Sequence, residues 1–489
     1  MKFYITTPLY YVNAEPHLGH AYTTIAGDAL ARWQRFLGKD VYFLTGTDEH
    51  GEKISKAANS LSISPKELSD RMVKSYKKLW ENLSISYDGF IRTTDEEHIE
   101  VVRKIFGELL KKNELYKGAY KGYYCISCET YITKSICPDC GRKGEILSEE
   151  SYFFPLSRYS APLLKYIEDK RNFISPSFRR KEVINFINQG LTDLSITRKN
   201  VAWGIPIDGS TIYVWFDALV NYLSGIGYLR DKEKFERYWP PDVQLIGKDI
   251  LRFHHIIWPS ILFSLNLSLP KKIFAHGWWL SKGEKMSKSK GNVISPQDIC
   301  EEFGANPLRY FLLREITFGL DGDFNRDSFI KRYNSDLVND LGNLLHRTIH
   351  LLVSNFSSKI PSPGEASQRL AKISLSLFDK VENEMEKLNY SQALADIWEL
   401  IGAANKYLDE TSPWSLPKEK AGPVLYNVCE SLRFISIFLS PFLPTTCKEI
   451  RRRLGIKGEV HPVRKESSNG VNKEDLTWGR LTPGNRVIE

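Results

Sequence analysis

The sequence predicts an α/β protein: a doubly wound parallel sheet, a cysteine-bearing insertion within it, and an all-α bundle after it. Three observations carry this reading. Short β-rich runs alternate with helix-period segments near the N-terminus and again beyond residue 194. Four of the seven cysteines crowd into the sixteen residues from Cys125 to Cys140, between those two stretches. From Asn334 to about Leu454 strand signals vanish and long amphipathic patterns such as LVNDLGNLLHRTIHLL take over. With 489 residues, 42% hydrophobic and 26% charged, the chain has an ordinary globular composition and the length of about three domains. A disulfide-stapled secreted scaffold, a disordered chain and a coiled-coil rod are thereby excluded.

Residues 2 to 9 read as a buried strand, and a loop with Asn13, Glu15 and Pro16 leads to His17. From Ala21 to Leu37 the apolar positions Ile25, Ala29, Leu30, Trp33 and Leu37 recur at helical spacing, with Gly38 standing where a C-terminal glycine belongs. VYFL (Val41 to Leu44) then enters the turn GTDEHG, followed by a helix from about Glu52. This strand, loop, helix rhythm is that of a Rossmann-type domain whose first half is expected over 1–114. Tyrosines, the cysteine cluster and SYFFPLSRY mark an inserted connective domain over 115–193. YVWFDAL, VQLIGKDI and KIFAHGWWL carry β-rich or apolar runs that resume the α/β pattern over 194–325, and the bundle fills 326–461. The Pro-, Gly- and charge-rich segment 462–489 is a tail or a strap over the core.

The first twenty residues contain no continuous apolar stretch, so no signal peptide is read there. The most apolar segments are short and broken by Pro259 and Pro441, too short to span a bilayer. A cytoplasmic protein with no membrane contact is expected. The net charge of +8 permits a polyanionic partner without demanding one.

Three motifs carry chemistry. HLGH (His17 to His20) opens a helix after the first strand, where backbone amides and the helix dipole favour an anion; Gly19 permits close approach of a nucleotide, and the imidazoles can donate to phosphate oxygens. KMSKS (Lys285 to Ser289) sets Lys285 and Lys288 three apart in a glycine-flanked loop able to close on a triphosphate and neutralise developing charge. Cys125, Cys128, Cys137 and Cys140 form C-x2-C-x8-C-x2-C, the spacing of a closed structural Zn²⁺ site with four thiolates.

HLGH followed by KMSKS resembles the class I aminoacyl-tRNA synthetases. The resemblance sharpens to the methionyl-tRNA synthetase family across TPLYYVNAEPHLGH, GTDEHG, DLSITR, YVWFDALVNY, IGKDILRFH, HGWWLSKGEKMSKSKGNV and NSDLVNDLGNLLHR, from Lys2 to about Leu454. Trp215, Ala218 and Tyr222 fall at i, i+3 and i+7 on one helical face; Ile250 and His254 are an i, i+4 pair; Leu9 and Tyr11 end the first strand. Together they can form an apolar, aromatic box for a thioether. The resemblance implies that these positions bind L-methionine, that Asp48 holds its α-ammonium group, and that Arg198 lies in the active site, holding a carboxylate or a phosphate. By spacing alone Asp48 is equally an N-cap, a role that can coexist with the first. It further implies ATP with Mg²⁺, a methionine tRNA (initiator and elongator), and an anticodon site containing Asn343, Arg347 and Trp414.

Members charging isoleucine, leucine or valine need a large editing domain, for which the stretch from Leu115 to Asp193, already holding the cysteines, leaves no room. A catalytically silent tRNA-binding factor would not need both phosphate motifs. A monomer with one structural zinc is expected.

Overall fold

Strand β1 (Lys2–Thr6) is the hinge of the architecture: β3 (Asp40–Asp48) pairs with it on one side and the strand Val243–Gly247 on the other. The structure, a computed structural model, describes residues 1–138, 140–286, 291–457 and 476–488. Outward from β3 lies β4 (Gly89–Arg92), while β2 (Tyr10–Tyr11) extends the line of β1 beside the end of β3. Outward from Val243–Gly247 lie Ile273–His276 and then Ile174–Ser175, and every pairing in the sheet is parallel. Because the chain winds away in both directions from β1, a crevice opens at its carboxyl end, the switch point where doubly wound sheets place their ligands. Tyr4, Ile5 and Thr6 are fully buried, which is why β1 reads as a continuous apolar run.

Helix α1 (Leu18–Phe36) begins one turn earlier than its apolar period predicts, because His17 caps it. It is buried nearly all round, lying between the sheet and the helical region; Trp33 meets Phe378 of the latter at 6.1 Å. YVWFDAL is not a strand. It folds as helix Val214–Leu219, broken at Val220 from the short helix Asn221–Ser224, so Trp215 and Tyr222 stand on successive helices instead of one.

The insertion builds an antiparallel sheet in the order Thr130–Ile132, Tyr116–Cys125, Glu145–Phe154, Leu194–Ser195. Ile174–Ser175, inside the stretch expected to be inserted, returns to the parallel sheet through Ile273 and Phe274. The C-terminal region stacks helices Asn343–Phe356, Gln368–Glu386, Tyr390–Thr411, Lys418–Phe438 and Pro444–Arg453; ahead of Asn343 the backbone widens into π-helical turns over Tyr333–Gly342. Residues 476–488 lie across these helices. The amides of Gly479, Arg480 and Leu481 donate to the buried carboxylate of Glu430, and Leu476, Leu481 and Val487 are buried.

One ion pair ties the two regions together. The wholly buried Arg309, in helix Ala305–Arg314, meets Asp28 in the middle of α1 at 2.7 Å. It also donates to the carbonyls of Leu83 (3.1 Å), Pro441 (3.1 Å) and Phe442 (2.7 Å). Burial would raise the Asp28 carboxyl, but Arg309, Arg32 and Ser86 outweigh it and hold it below the usual range. Removing the cation leaves a buried charge and three carbonyls short of a donor, so Arg309→Met is expected to cost about 3 kcal/mol or more in chemical denaturation. A stability within about 0.5 kcal/mol of the parent would contradict the role given to this pair.

Candidate functional site

At the carboxyl end of β1 a cleft of about 2110 Å³ is lined by Leu9, Tyr11, His17, Gly19, His20, Asp48, Trp215, Ala218, Tyr222, Ile250, His254 and Lys285. Residues spread from Leu9 to Lys285 thus converge on one space. Two kinds of surface meet there, one built to donate protons to an anion and one to surround an apolar group beside a carboxylate.

The donating surface is the start of α1. His17, in extended backbone, is its N-cap: Gly19 N–H donates to His17 Nδ1 at 3.0 Å and His17 N–H donates to His20 Nδ1 at 3.1 Å. With both Nδ1 atoms accepting, the proton of each neutral ring sits on Nε2. A Cβ on residue 19 would meet the His17 ring at 2.9 Å, so Gly19 is what lets His17 fold back over its own helix. The two rings stack at 3.8 Å. Burial pushes the His17 imidazole down to about 4 and His20 well below its ordinary range, so both are neutral donors at physiological pH. Leu18 N–H donates to Ile294 O (3.2 Å), which ties the loop following KMSKS to HLGH. Lys285 is half-exposed at the end of the short strand Glu284–Lys285, its Nζ 3.2 Å from Asp249 and 4.0 Å from the centre of the Trp278 ring. Lys288 lies outside the described residues.

In the other half of the cleft Trp215 stacks on Phe253 at 3.7 Å. His254 Nδ1–H donates to Ile250 O (3.1 Å), leaving Nε2 to accept from the Tyr222 hydroxyl (2.7 Å). Burial lowers His254 to about 3, so this wall is aromatic, aliphatic and uncharged. The Tyr11 hydroxyl donates to the Glu129 carboxylate. Asp48 ends β3 only 3% exposed, and its Oδ1 has no hydrogen-bond partner. Burial, then the neighbouring Asp217 and Glu129, raises its carboxyl well above the ordinary range: a buried acid among acids, with one oxygen unmet. Asp48 is not the N-cap that its spacing allowed. Gly51 caps the helix Glu52–Ser60 at φ 108°, where a Cβ would strike Glu129 Oε1 at 2.4 Å.

Arg198 is not among the residues lining the cleft: its Nε donates to Glu149 at 2.9 Å and its guanidinium lies 4.0 Å from the Tyr124 ring centre, an ion pair and a stacking contact with side chains of the insertion.

The four clustered cysteines come together, every Sγ within 4.8 Å of the others, with Cys125 to Cys140 at 3.6 Å and Cys128 to Cys137 at 3.9 Å. A tetrahedron with metal–sulfur bonds of about 2.3 Å requires sulfurs about 3.8 Å apart, so the group can hold a metal ion. Far from the cleft, Trp414 is 50% exposed in the turn Pro413–Ser415, with the Arg347 guanidinium 5.3 Å from its ring centre and paired to Asp409 at 2.7 Å. Asn343 is exposed one turn before Arg347 on the same helix.

Sequence reasoning missed Phe253, Glu129 and the buried set His50, Asp217 and His98. Phe253 precedes His254 in a segment read at i, i+4 only, and the π-helical turns of Phe253–Ile257 displace that register. Glu129 follows Cys128 directly, and the metal signal hid it. Asp217 lies between Trp215 and Ala218, where only the apolar face was counted.

The family model described as tRNA synthetases class I (M) matches residues 3–146 and 135–349, and that of the anticodon binding domain of methionyl tRNA ligase matches 360–473. A methionine–tRNA ligase of Caldanaerobacter subterraneus is 50% identical over 502 residues, covering 99% of this chain and 77% of the relative. That of Thermotoga maritima is 44% identical, with 100% and 79% covered. Among solved structures, Mycobacterium tuberculosis methionyl-tRNA synthetase in complex with methionyl-adenylate superposes with a TM-score of 0.95 at 37% identity, covering 100% of this chain and 99% of that one. The apo form of that synthetase gives 0.86 at 34% identity, with 100% and 97% covered. Among the described residues no helix is long and apolar enough to cross a membrane.

The buried histidines set a pH dependence. Burial lowers His254 to about 3, His255 to about 4, and His276 below its ordinary value. Unfolded, all three bind protons near pH 6.5; folded, they resist, so stability is full above that pH and is lost as pH falls toward 4. Urea midpoints are expected to drop between pH 7.5 and 5.0, with His254 and His255 each contributing on the order of 2 kcal/mol. Equal midpoints at the two pH values would show that these rings are not buried neutral.

Proposed function

The chain belongs to the methionyl-tRNA synthetases of class I, and from that premise we propose which of its side chains carry the reaction. It activates methionine with ATP and transfers it to tRNA. The carboxylate of methionine attacks the α-phosphorus of ATP, pyrophosphate leaves, and methionyl-adenylate passes its acyl group to a ribose hydroxyl at the tRNA 3′ end. Since the nucleophile is already ionised, the protein contributes position and charge compensation.

The single observation that carries the placement of substrate is Asp48, whose unmet oxygen in an acidic, buried setting calls for a cation such as the α-ammonium group. From there the thioether extends into the box of Leu9, Tyr11, Trp215, Ala218, Tyr222, Ile250 and His254, where sulfur meets aromatic rings and one tyrosine–histidine pair. The Nε2–H groups of His17 and His20 meet phosphate oxygens above the N-terminus of α1, beside Gly19. Lys285, with Lys288 of the same motif, compensates the charge that develops on the phosphates, exchanging its present partner Asp249 for them. We assign Mg²⁺ to the ATP phosphates. We assign one structural Zn²⁺ to Cys125, Cys128, Cys137 and Cys140, whose four thiolates would hold it and which, with it bound, would be closed into a cross-link of the knuckle. Residues 1–114 and 194–325 act as the adenylating unit, 115–193 as the connective unit, and 326–461 as the anticodon reader, with the described part of the last segment, 476–488, packed on its helices. We propose a monomer as the working unit, and seven free cysteines suit the cytoplasm.

Amino-acid-dependent exchange of pyrophosphate into ATP, run with each of the twenty amino acids, is expected to proceed rapidly with methionine alone. Equal exchange with leucine, isoleucine or cysteine would overturn the pocket assignment.

In the helical region half-exposed Trp414 is placed to stack an anticodon base, with Arg347 and Asn343 beside it as polar readers. Trp414→Ala is expected to weaken aminoacylation of tRNA by roughly 5-fold to 150-fold, the worth of one stacked base, while pyrophosphate exchange without tRNA stays near the parent rate. Equal loss in both assays would make Trp414 a packing residue.

A further inference from the structure

Behind Asp48 lies a chain of buried polar groups that the reaction as described does not use. Asp217, in helix Val214–Leu219, is 1% exposed, yet both its oxygens are engaged: His50 Nδ1 lies 2.7 Å from Oδ2 and His98 Nε2 lies 2.7 Å from Oδ1. An ionised carboxylate can only accept, so both imidazoles donate. His98, wholly buried on the helix Glu96–Lys111, has its other nitrogen 2.8 Å from Ser224 Oγ, on the short helix that also bears Tyr222. His50 follows Asp48 by two residues. Three segments are therefore clamped together at one end of the proposed methionine box: the end of β3, the helix Glu96–Lys111 and the broken helix 214–224.

Burial alone would raise the Asp217 carboxyl, but His50 and His98 outweigh it and keep it below the ordinary range. Its neighbour Asp48 goes the other way, with Asp217 among the causes. The two carboxylates differ in one respect: Asp217 has every oxygen met inside the protein, and Asp48 has one left over. Such a cluster is a poor way to gain stability, because desolvating several polar groups costs about what their contacts return. A fixed charge in a dry interior, by contrast, acts strongly on a second charge nearby.

Resting on the placement of methionine's ammonium group at Asp48, we propose that Asp217, gripped by His50 and His98, is a positioning residue that makes ammonium recognition a two-carboxylate site. Its charge stands behind Asp48 and deepens the negative potential at the ammonium group, and its two bonds hold the Trp215 to Ala218 turn against the end of β3 and against the helix Glu96–Lys111. The selectivity this serves is for an α-ammonium over an uncharged group of similar size.

The test compares binding of methionine with binding of its α-hydroxy analogue, which keeps the carboxylate and thioether and replaces ammonium by hydroxyl. His98→Leu removes one of the two donors to Asp217 and is expected to reduce the preference for methionine over the analogue by about 10-fold, with affinity for the analogue changed by less than about 3-fold. His98→Gln, whose amide can donate near the Nε2 position, should recover most of that preference. If His98→Leu does not fold, Asp217→Asn, an isostere without the charge, carries the same expectation. Equal weakening of both ligands, or an unchanged preference, in a folded variant overturns the proposal. If the parent protein does not bind methionine, it is the reading of the pocket that fails.

Discussion

A guanidinium with no exposure to solvent, that of Arg309, closes on the Asp28 carboxylate at the middle of α1, and much else depends on this contact. A buried ion pair is a weak source of net stability, since desolvation consumes most of the attraction. Its planar fork supplies geometry instead: the other donors are spent on carbonyls at the end of helix Pro65–Asn82 and at the turn after helix Lys418–Phe438. Tyr390 adds a hydroxyl donated to Ala26 O at 2.9 Å. A helix that belongs by sequence to the sheet is thereby fixed to the helical region, and its N-terminus, with His17 and His20, is aimed from that fixed body.

The cleft divides electrostatically along the same line. At the start of α1 every group is a neutral donor, because burial strips protons from the imidazoles and the capping box directs what remains onto Nε2. At the end of β3 the groups are acceptors: Asp48, Glu129 and Asp217 within one another's field. A zwitterionic amino acid whose ammonium is drawn to the acidic side has its carboxylate turned away from it, toward the side where an anion is welcome. On the proposed placement of the ammonium group at Asp48, orientation of the nucleophile follows from two fields, without any side chain having to grip the carboxylate itself.

What could be read from the sequence was what is local or strongly periodic. β1, α1 and Gly38 were legible because each is a run whose burial follows one period. HLGH, KMSKS and the cysteine spacing were legible because their chemistry lies within a few residues. YVWFDAL carried two readings, β-rich by composition and helical by the spacing of Trp215 and Ala218, because an aromatic, β-branched run buried on several sides looks alike as strand or helix; the helical one is right. Asp217 with His50 and His98, and Glu129 with Tyr11, were not legible because each contact joins residues more than a hundred positions apart, apart from the distance that folding removes. Arg198 shows the converse: a residue can stand in a motif that resembles a family's and still spend its charge on a neighbour, here Glu149, that the motif does not contain.

The four-cysteine group borders the cleft directly, since Cys128 and Cys140 are among its lining residues. Glu129 follows Cys128, adopts positive φ, and sends its carboxylate to the Tyr11 hydroxyl and to Lys53 N–H at 3.2 Å, while its carbonyl accepts from the Tyr213 hydroxyl at 2.7 Å. A residue held in that strained conformation needs its surroundings to over-determine it, and the contacts of Glu129 with Tyr11, Lys53 and Tyr213 do so. The knuckle backbone is thereby tied to one wall of the cleft, as Arg309 ties α1 to the helical region. The small chemical volume between Tyr11 and His17 is held from two directions, by the insertion on one side and by the helical region on the other, and the sheet alone would determine neither.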